Sequence, residues 1–198
     1  MKRIVLILTL LVVSLFGKSE KEIVDYLNNL NMNQRTFLKE TYYGSMDRGY
    51  GATLSAIAMR ETDFNENRIN LNDGAGTKYP GSYSGYQIHF NSYVQVNKLN
   101  RNEAAKELQK IMDSPEYARK IAMDMLDEWR KIYTKKGSND VMFWTLASYN
   151  GGSRVSKNED AKAYAQDILL WSKVINRYMK DAEASKVLVY KKVITTKS

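Results

Sequence analysis

The chain has no cysteine, one histidine and two prolines in 198 residues. Without cysteine there is no disulfide framework, no thiolate nucleophile, no Cys-ligated zinc and no cysteine-linked lipid. With His89 as the only histidine, a His-based triad and a multi-His metal site are both excluded, and His89 reads as a satisfied loop residue. The run Asn70-Leu71-Asn72-Asp73-Gly74 has too few acids for a calcium loop. No metal and no cofactor is expected. Long apolar runs are missing too, except at the start. There Lys2 and Arg3 precede an apolar stretch from Ile4 to Phe16, broken by Thr9 and Ser14 and followed by Gly17 and Lys18. A basic start, a stretch of this length and a small residue at its end read as a secretory signal. The stretch falls short of the about 20 apolar residues that span a bilayer. Cleavage is expected near Gly17 to Ser19, an uncleaved N-terminal anchor being the alternative, and the protein is expected to be periplasmic or exported.

The remaining length suits one domain with a full core. Residues 20–185 form that domain, 1–19 the leader and 186–198 a C-terminal tail. The net charge is +8, with Lys and Arg spread along the chain. No basic stripe interleaved with aromatics resembles a nucleic-acid module, so no nucleic-acid partner is expected. An exported basic protein suits an anionic cell wall or membrane surface. The nine Met read as core filler.

Periodicity is helical nearly throughout. Ser19-Glu20-Lys21-Glu22 opens a first helix, with Ile23, Leu27 and Leu30 on one face, and a second runs from about Met32 to Tyr42. From Asn65 to Tyr93 no helical period survives. Asn-Asp-Gly-Ala-Gly at 72–76 and Tyr-Pro-Gly-Ser at 79–82 are turn chemistry, and a small two- or three-stranded sheet fits here. Helices resume over Asn102 to Met112. Ser114-Pro115-Glu116 then starts a helix whose face carries Ala118, Ile121, Ala122, Met125, Trp129 and Ile132, ending at Lys135-Lys136-Gly137. A short buried helix spans Asp140 to Ser148. A last one runs from about Glu159 to Ala184, buried along Tyr164, Ile168, Trp171, Ile175 and Tyr178. Val187-Leu188-Val189-Tyr190 reads as a strand or an extended arm. The fold class is all-α, or α+β at most.

Glu61 stands out. Leu54, Ile57, Ala58 and Glu61 follow the i, i+3, i+4, i+7 spacing of one helical face. Removing a carboxylate from water is costly, so an acid on such a stripe is paired or used. Desolvation raises its pKa and keeps it able to donate a proton, as a general acid must. A cap or a salt bridge to neighbouring Arg60 is the structural alternative. Asp63, Glu66 and Asp73 are nearby acids. Asp63 falls off the Glu61 face, Glu66 lies among asparagines, and Asp73 is the candidate second acid because its loop can fold back over a groove. Tyr79, Tyr83 and Tyr86 cluster in the long loop, where they either pack or offer faces to sugar rings.

Three segments occur in order: Met-Arg-Glu-Thr-Asp-Phe-Asn at 59–65, Ser-Gly-Tyr-Gln-Ile at 84–88 and Leu-Ala-Ser-Tyr-Asn-Gly-Gly at 146–152. Together they resemble the lytic transglycosylases of the soluble type (SLT domain), relatives of goose-type lysozyme. The likeness covers roughly Tyr50 to Tyr178 and includes Tyr-Ala-Gln-Asp-Ile at 164–168, similar to that family's late Tyr-Val helix. It implies a lysozyme-like fold with a long irregular loop or small β-hairpin after the catalytic helix. The implied activity is cleavage of the β-1,4 bond between N-acetylmuramic acid and N-acetylglucosamine in peptidoglycan, with formation of a 1,6-anhydromuramyl end. Glu61 matches the single catalytic acid/base. Ser84, Tyr86 and Gln87 fall in the saccharide-lining loop, with Tyr86 where Met is usual. Tyr149 and Asn150 match the pair facing the catalytic carboxyl, the tyrosine hydroxyl orienting it. The loop before Gln87 is several residues longer than in the family, and its Ser-x-x-Gly-Ala segment is blurred into Asn-Asp-Gly-Ala-Gly. The implied partners are peptidoglycan glycan strands and a secretion or pilus machine that needs local wall opening, the protein acting as a monomer. A hydrolysing muramidase on the same bond and a non-catalytic wall-binding assembly protein are the alternatives.

Overall fold

A computed structural model describes the chain over 18–65, 68–73 and 76–195, with side chains at 18–65, 68–73, 76–153 and 155–184. Most of the leader predicted over 1–19 therefore lies outside the described residues. Eight α-helices carry the described chain: α1 (Glu20–Asn28), α2 (Met32–Tyr43), α3 (Gly51–Thr62), α4 (Phe90–Val96), α5 (Arg101–Asp113), α6 (Pro115–Lys135), α7 (Val141–Gly151) and α8 (Glu159–Thr195). A 3-10 helix, Gly152–Lys157, joins the last two. Between α3 and α4 lies a small antiparallel sheet of β1 (Ile69–Asn70), β2 (Ser82–Tyr83) and β3 (Ile88–His89), in that spatial order. Its register pairs Ile69 with Tyr83 and Ser82 with His89. The protein is thus mostly helical with a minor sheet. Among the described residues no helix is long and apolar enough to cross a membrane.

The helix starts follow local chemistry. Ser19 and Asn31 each close a capping box, with Glu22 and Gln34 respectively. Asn100 does the same with Glu103, and Ser114 caps α6 with Pro115 in its first turn. The centre is built on α8, whose Ala161, Tyr164, Ala165, Ile168, Trp171, Val174, Ile175 and Met179 are buried. The helices α1, α3 and α7 pack against it. On α3 the burial exceeds the predicted face: Leu54, Ile57 and Ala58 are fully enclosed, and so are Ser55, Ala56 and Met59. A helix buried all round is a core helix, and burying each Leu or Ile contributes about 1.5–3 kcal/mol.

Three expectations need correction. A helix begins at Phe90, inside the stretch read as irregular up to Tyr93, because His89 supplies a cap by accepting from Ser92 N at 3.3 Å. The segment Val187–Tyr190 is neither strand nor extended arm, since α8 continues through it to Thr195. On α6, Ile132 is exposed and Met125 and Trp129 only partly covered, while Met123 and Leu126 enter the core instead. Trp129 and Tyr133 stack at 6.5 Å, and Tyr133 stacks on Trp144 of α7 at 6.2 Å, so this part of the stripe serves the α6–α7 seam.

Gly51 opens α3 where a Cβ would come within 2.7 Å of the Tyr42 carbonyl oxygen. Alanine normally stabilises a helix by about 1 kcal/mol relative to glycine. Here the order reverses: Gly51→Ala should destabilise the fold by about 1–3 kcal/mol through overpacking, read as a lower urea midpoint. A raised midpoint would contradict the packing described.

Candidate active site

Glu61 sits in the last turn of α3, one residue before Thr62 anchors that helix end to the loop. The Thr62 hydroxyl lies 3.0 Å from the carbonyls of both Ala58 and Gly85, and it accepts from Asn65 N at 3.2 Å. One residue further along the loop, the Tyr86 carbonyl accepts the Tyr149 hydroxyl of α7 at 2.9 Å. Two helices therefore grip consecutive carbonyls of one turn, and Glu61 lies beside both grips.

That turn is shaped by its own sequence. Ser84 and Gln87 are both left-handed, with φ of 68° and 47°. The Ser84 hydroxyl accepts from Tyr86 N at 3.3 Å, and the Gln87 side-chain amide donates to the carbonyls of Ser84 (3.1 Å) and Arg68 (3.2 Å). The Tyr86 ring is fully buried, bonded to Thr41 Oγ1 at 2.9 Å and packed on Phe37 at 5.6 Å. Ser84 is buried as well. The side chains of Ser84 and Tyr86 thus hold the turn and are closed to a ligand, against the expectation that both line a sugar groove. Gln87 is partly buried and ties the turn to the strand edge, and Asn150 is exposed. Tyr83 is buried and Tyr79 partly so, both edge-on to Phe90 at 5.8 and 6.2 Å. These rings belong to the hydrophobic core in place of a stacking surface.

The third wall of the site comes from α8. Gly151 brings α7 close to it: a Cβ there would meet the Ala161 Cβ at 2.6 Å. This approach gathers Tyr149, Tyr164 and Glu61. The Tyr164 hydroxyl is buried against the Glu61 carboxyl, and among the described residues it makes no hydrogen bond of regular geometry. Burial first, then the Glu61 charge, drives the phenol pKa of both Tyr149 and Tyr164 far above its ordinary value. Tyr149 was expected to orient the carboxyl, yet its hydroxyl is committed to the Tyr86 carbonyl, and the Tyr164 hydroxyl is the one that lowers the Glu61 pKa. In the sequence Tyr164 belongs to an apolar stripe and to the 164–168 run that carries part of the resemblance, and neither assigns its hydroxyl a role.

Glu61 itself is partly buried. Desolvation pushes its pKa up, and the Asp73 charge adds to the rise; Tyr164, Arg60 and Arg68 pull the other way, and burial wins. Arg60 is turned outward, 3.5 Å from Asp167 and 5.9 Å above the Trp171 ring, so it does not neutralise Glu61 in a direct pair. Asp73 is within electrostatic reach of Glu61, and its carbonyl accepts Gly81 N at 2.6 Å, which fixes this part of the loop. Asp63 is off the face as expected, capping α3 with φ of 52°. Glu66 lies outside the described residues. Among the described residues no group of three His, Cys, Asp or Glu is placed to hold a metal ion. An open concavity of about 740 Å³ between α4 and α6 is lined by none of these site residues.

The assembly sets one carboxyl, its proton affinity raised by burial, between two tyrosines of different helices. Comparison with protein-family models, with curated proteins and with solved structures finds no match for the chain.

Two outcomes follow from the electrostatics. An acid whose folded pKa lies above its ordinary 4.5 binds protons more readily folded than unfolded. Its contribution is fully present below that value and is lost as pH rises through the folded pKa. Glu61→Gln should therefore gain stability over the parent as pH increases, the gain vanishing below about pH 4; thermal unfolding across pH checks this, and a gain that shrinks with pH refutes it. Tyr164→Phe removes a buried hydroxyl without a regular partner, so stability should change little. The Glu61 pKa should rise, as read by carboxyl carbon NMR. A fall would remove Tyr164 from the site.

Proposed function

We propose that the protein is a peptidoglycan lytic transglycosylase of lysozyme-like fold, with Glu61 as its single general acid and base. The observation that carries this reading is a carboxyl at the end of a core helix, its proton affinity raised by burial, with the Tyr164 hydroxyl near it and the Tyr149 grip beside it. Neutral Glu61 gives its proton to the glycosidic oxygen as the bond to the muramyl anomeric carbon breaks. The substrate's N-acetyl group stabilises the oxocarbenium-like centre. The muramyl 6-hydroxyl then attacks that carbon, and the Glu61 carboxylate takes the hydroxyl proton, so the acid is restored and no water is consumed. The phenol of Tyr164, kept neutral by burial, stabilises the carboxylate between the two transfers. Asn150, exposed and next to Tyr149 in the chain, is the residue proposed to contact substrate.

The setting is an exported, wall-facing monomer that opens peptidoglycan locally for a secretion or pilus machine. One observation favours a second reading. The Asp73 charge reaches Glu61, and two carboxylates flanking one bond are the equipment of hydrolysing glycosidases. On that reading Asp73 holds a water and the protein is a muramidase.

Purified sacculi separate these readings. The anhydro product is lighter by one water than the reducing-end product, and mass spectrometry should find the anhydro form. Glu61→Gln should lower turnover between about 100- and 10,000-fold, the range for loss of a general acid. If the variant digests sacculi as fast as the parent, the enzymatic reading fails and a non-catalytic wall-binding role takes its place.

A further inference from the structure

The side of α8 that meets the end of α3 carries Tyr164, Asp167 and Trp171 at i, i+3 and i+7, on one helical face. The last turn of α3 presents two neighbouring residues of opposite charge to it, Arg60 and Glu61. Tyr164 lies near the Glu61 carboxyl, whereas Asp167 and Trp171 take Arg60. The Asp167 carboxylate is 3.5 Å from Arg60 Nε, and the Arg60 guanidinium stands 5.9 Å above the Trp171 ring. The same ring has Lys18 over it at 5.7 Å. One face of α8 therefore sorts two charges that adjoin in the chain.

Asp167 gains little from this place as a structural salt bridge. Its side chain is 20% exposed, and Arg60 is its ion-pair partner among the described residues. Burial raises its pKa, and the Arg60 charge only partly offsets the rise. An acid with a raised folded pKa contributes stability at low pH and loses it as pH rises through that value. At neutral pH the ionised Asp167 thus opposes folding. Trp171 is buried, and its indole Nε1 makes no hydrogen bond among the described residues. Both groups are better explained by what they do to Arg60. The carboxyl next to Arg60 in the chain is Glu61, and a partly buried carboxyl attracts a cation more strongly than one in bulk water. Arg60 already acts on Glu61 through space, as does Arg68; the Tyr164 hydroxyl favours the Glu61 charge too, and Asp73 opposes it. The Tyr149 phenol also feels that charge.

We propose that Asp167 is a positioning residue which, with the Trp171 ring, holds Arg60 off the Glu61 carboxyl. Its importance for proton donation rests on the activity proposed above; the restraint on Arg60 does not. Without Asp167, Arg60 closes on Glu61 as a direct pair, and the acid stays ionised where it has to give up a proton. Asp167 itself touches no reacting atom and acts through Arg60.

The test is a carboxyl carbon NMR titration of Glu61 in the full chain, comparing the parent with Asp167→Asn, Asp167→Glu, Arg60→Gln and the Asp167→Asn, Arg60→Gln pair. Asp167→Asn should lower the Glu61 pKa by about 1 or more, the effect of an arginine brought beside a carboxylate. Asp167→Glu keeps the anion and should keep the parent value. Arg60→Gln should raise the Glu61 pKa, and adding Asp167→Asn to it should change little further. A Glu61 pKa that stays or rises in Asp167→Asn would overturn the proposal. So would an equal fall with and without Arg60, which would make Asp167 a direct field on Glu61. In sacculus digestion the basic limb of the pH–rate profile should move down in Asp167→Asn and return when Arg60→Gln is added. The NMR pattern in a chain that leaves sacculi uncut would defeat the transglycosylase reading alone. A chain that cuts sacculi while Asp167→Asn leaves the Glu61 pKa in place would defeat the positioning role alone.

Discussion

The hydrogen bond from Tyr149 to the Tyr86 carbonyl, with its neighbour from Thr62 to the Gly85 carbonyl, fixes the relation between the helical body and the loop. Each donor comes from a different helix, and the acceptors are adjacent peptide groups. Such a pair leaves the turn no freedom to slide or rotate relative to the end of α3. Burial strengthens the constraint, since a carbonyl stripped of water and of its donor costs about 1–3 kcal/mol. The Tyr86 ring, driven beneath the turn to Thr41, locks it from the other side.

Within that frame the Glu61 carboxyl is set by a contest. Two arginines and a tyrosine hydroxyl favour its charge, while burial and Asp73 oppose it. The outcome depends on Arg60 being turned toward Asp167 and Trp171. Had Arg60 closed on Glu61 as a direct ion pair, the acid would have been an ordinary structural salt bridge. The helix rotation that buries Leu54, Ile57 and Ala58 points these two neighbours in different directions.

Much of the helical order was legible because it is written in short-range chemistry. Ser19 with Glu22, and Ser114 with Pro115, declare helix starts without help from the rest of the chain. Glu61 was legible for a similar reason, being an acid where apolar spacing demands none. What sequence could not convey was tertiary. The burial of Tyr86 depends on Thr41 and Phe37, more than forty residues earlier. The nearness of Tyr164 to Glu61 depends on the packing of α3 against α8. The apolar, β-branched run at 187–190 reads locally as a strand, but the preceding helix propagates through it. The lysozyme-like topology rests on motif resemblance, and the fold observed bears out its coarser form, a mostly helical protein with a small sheet.

The two-helix grip on the Ser84–Gln87 turn has a consequence for divergence. Both anchored carbonyls lie after the long segment that leaves α3, so a change of length between Asp63 and Gly81 need not shift the turn against the helix end. The charges of Arg68 and Asp73 within it still act on the Glu61 carboxyl. The surface of that segment can drift while the Thr62 and Tyr149 bonds stay in place. A chain of this build can lengthen one stretch of backbone while the end of α3 and the turn keep their relation.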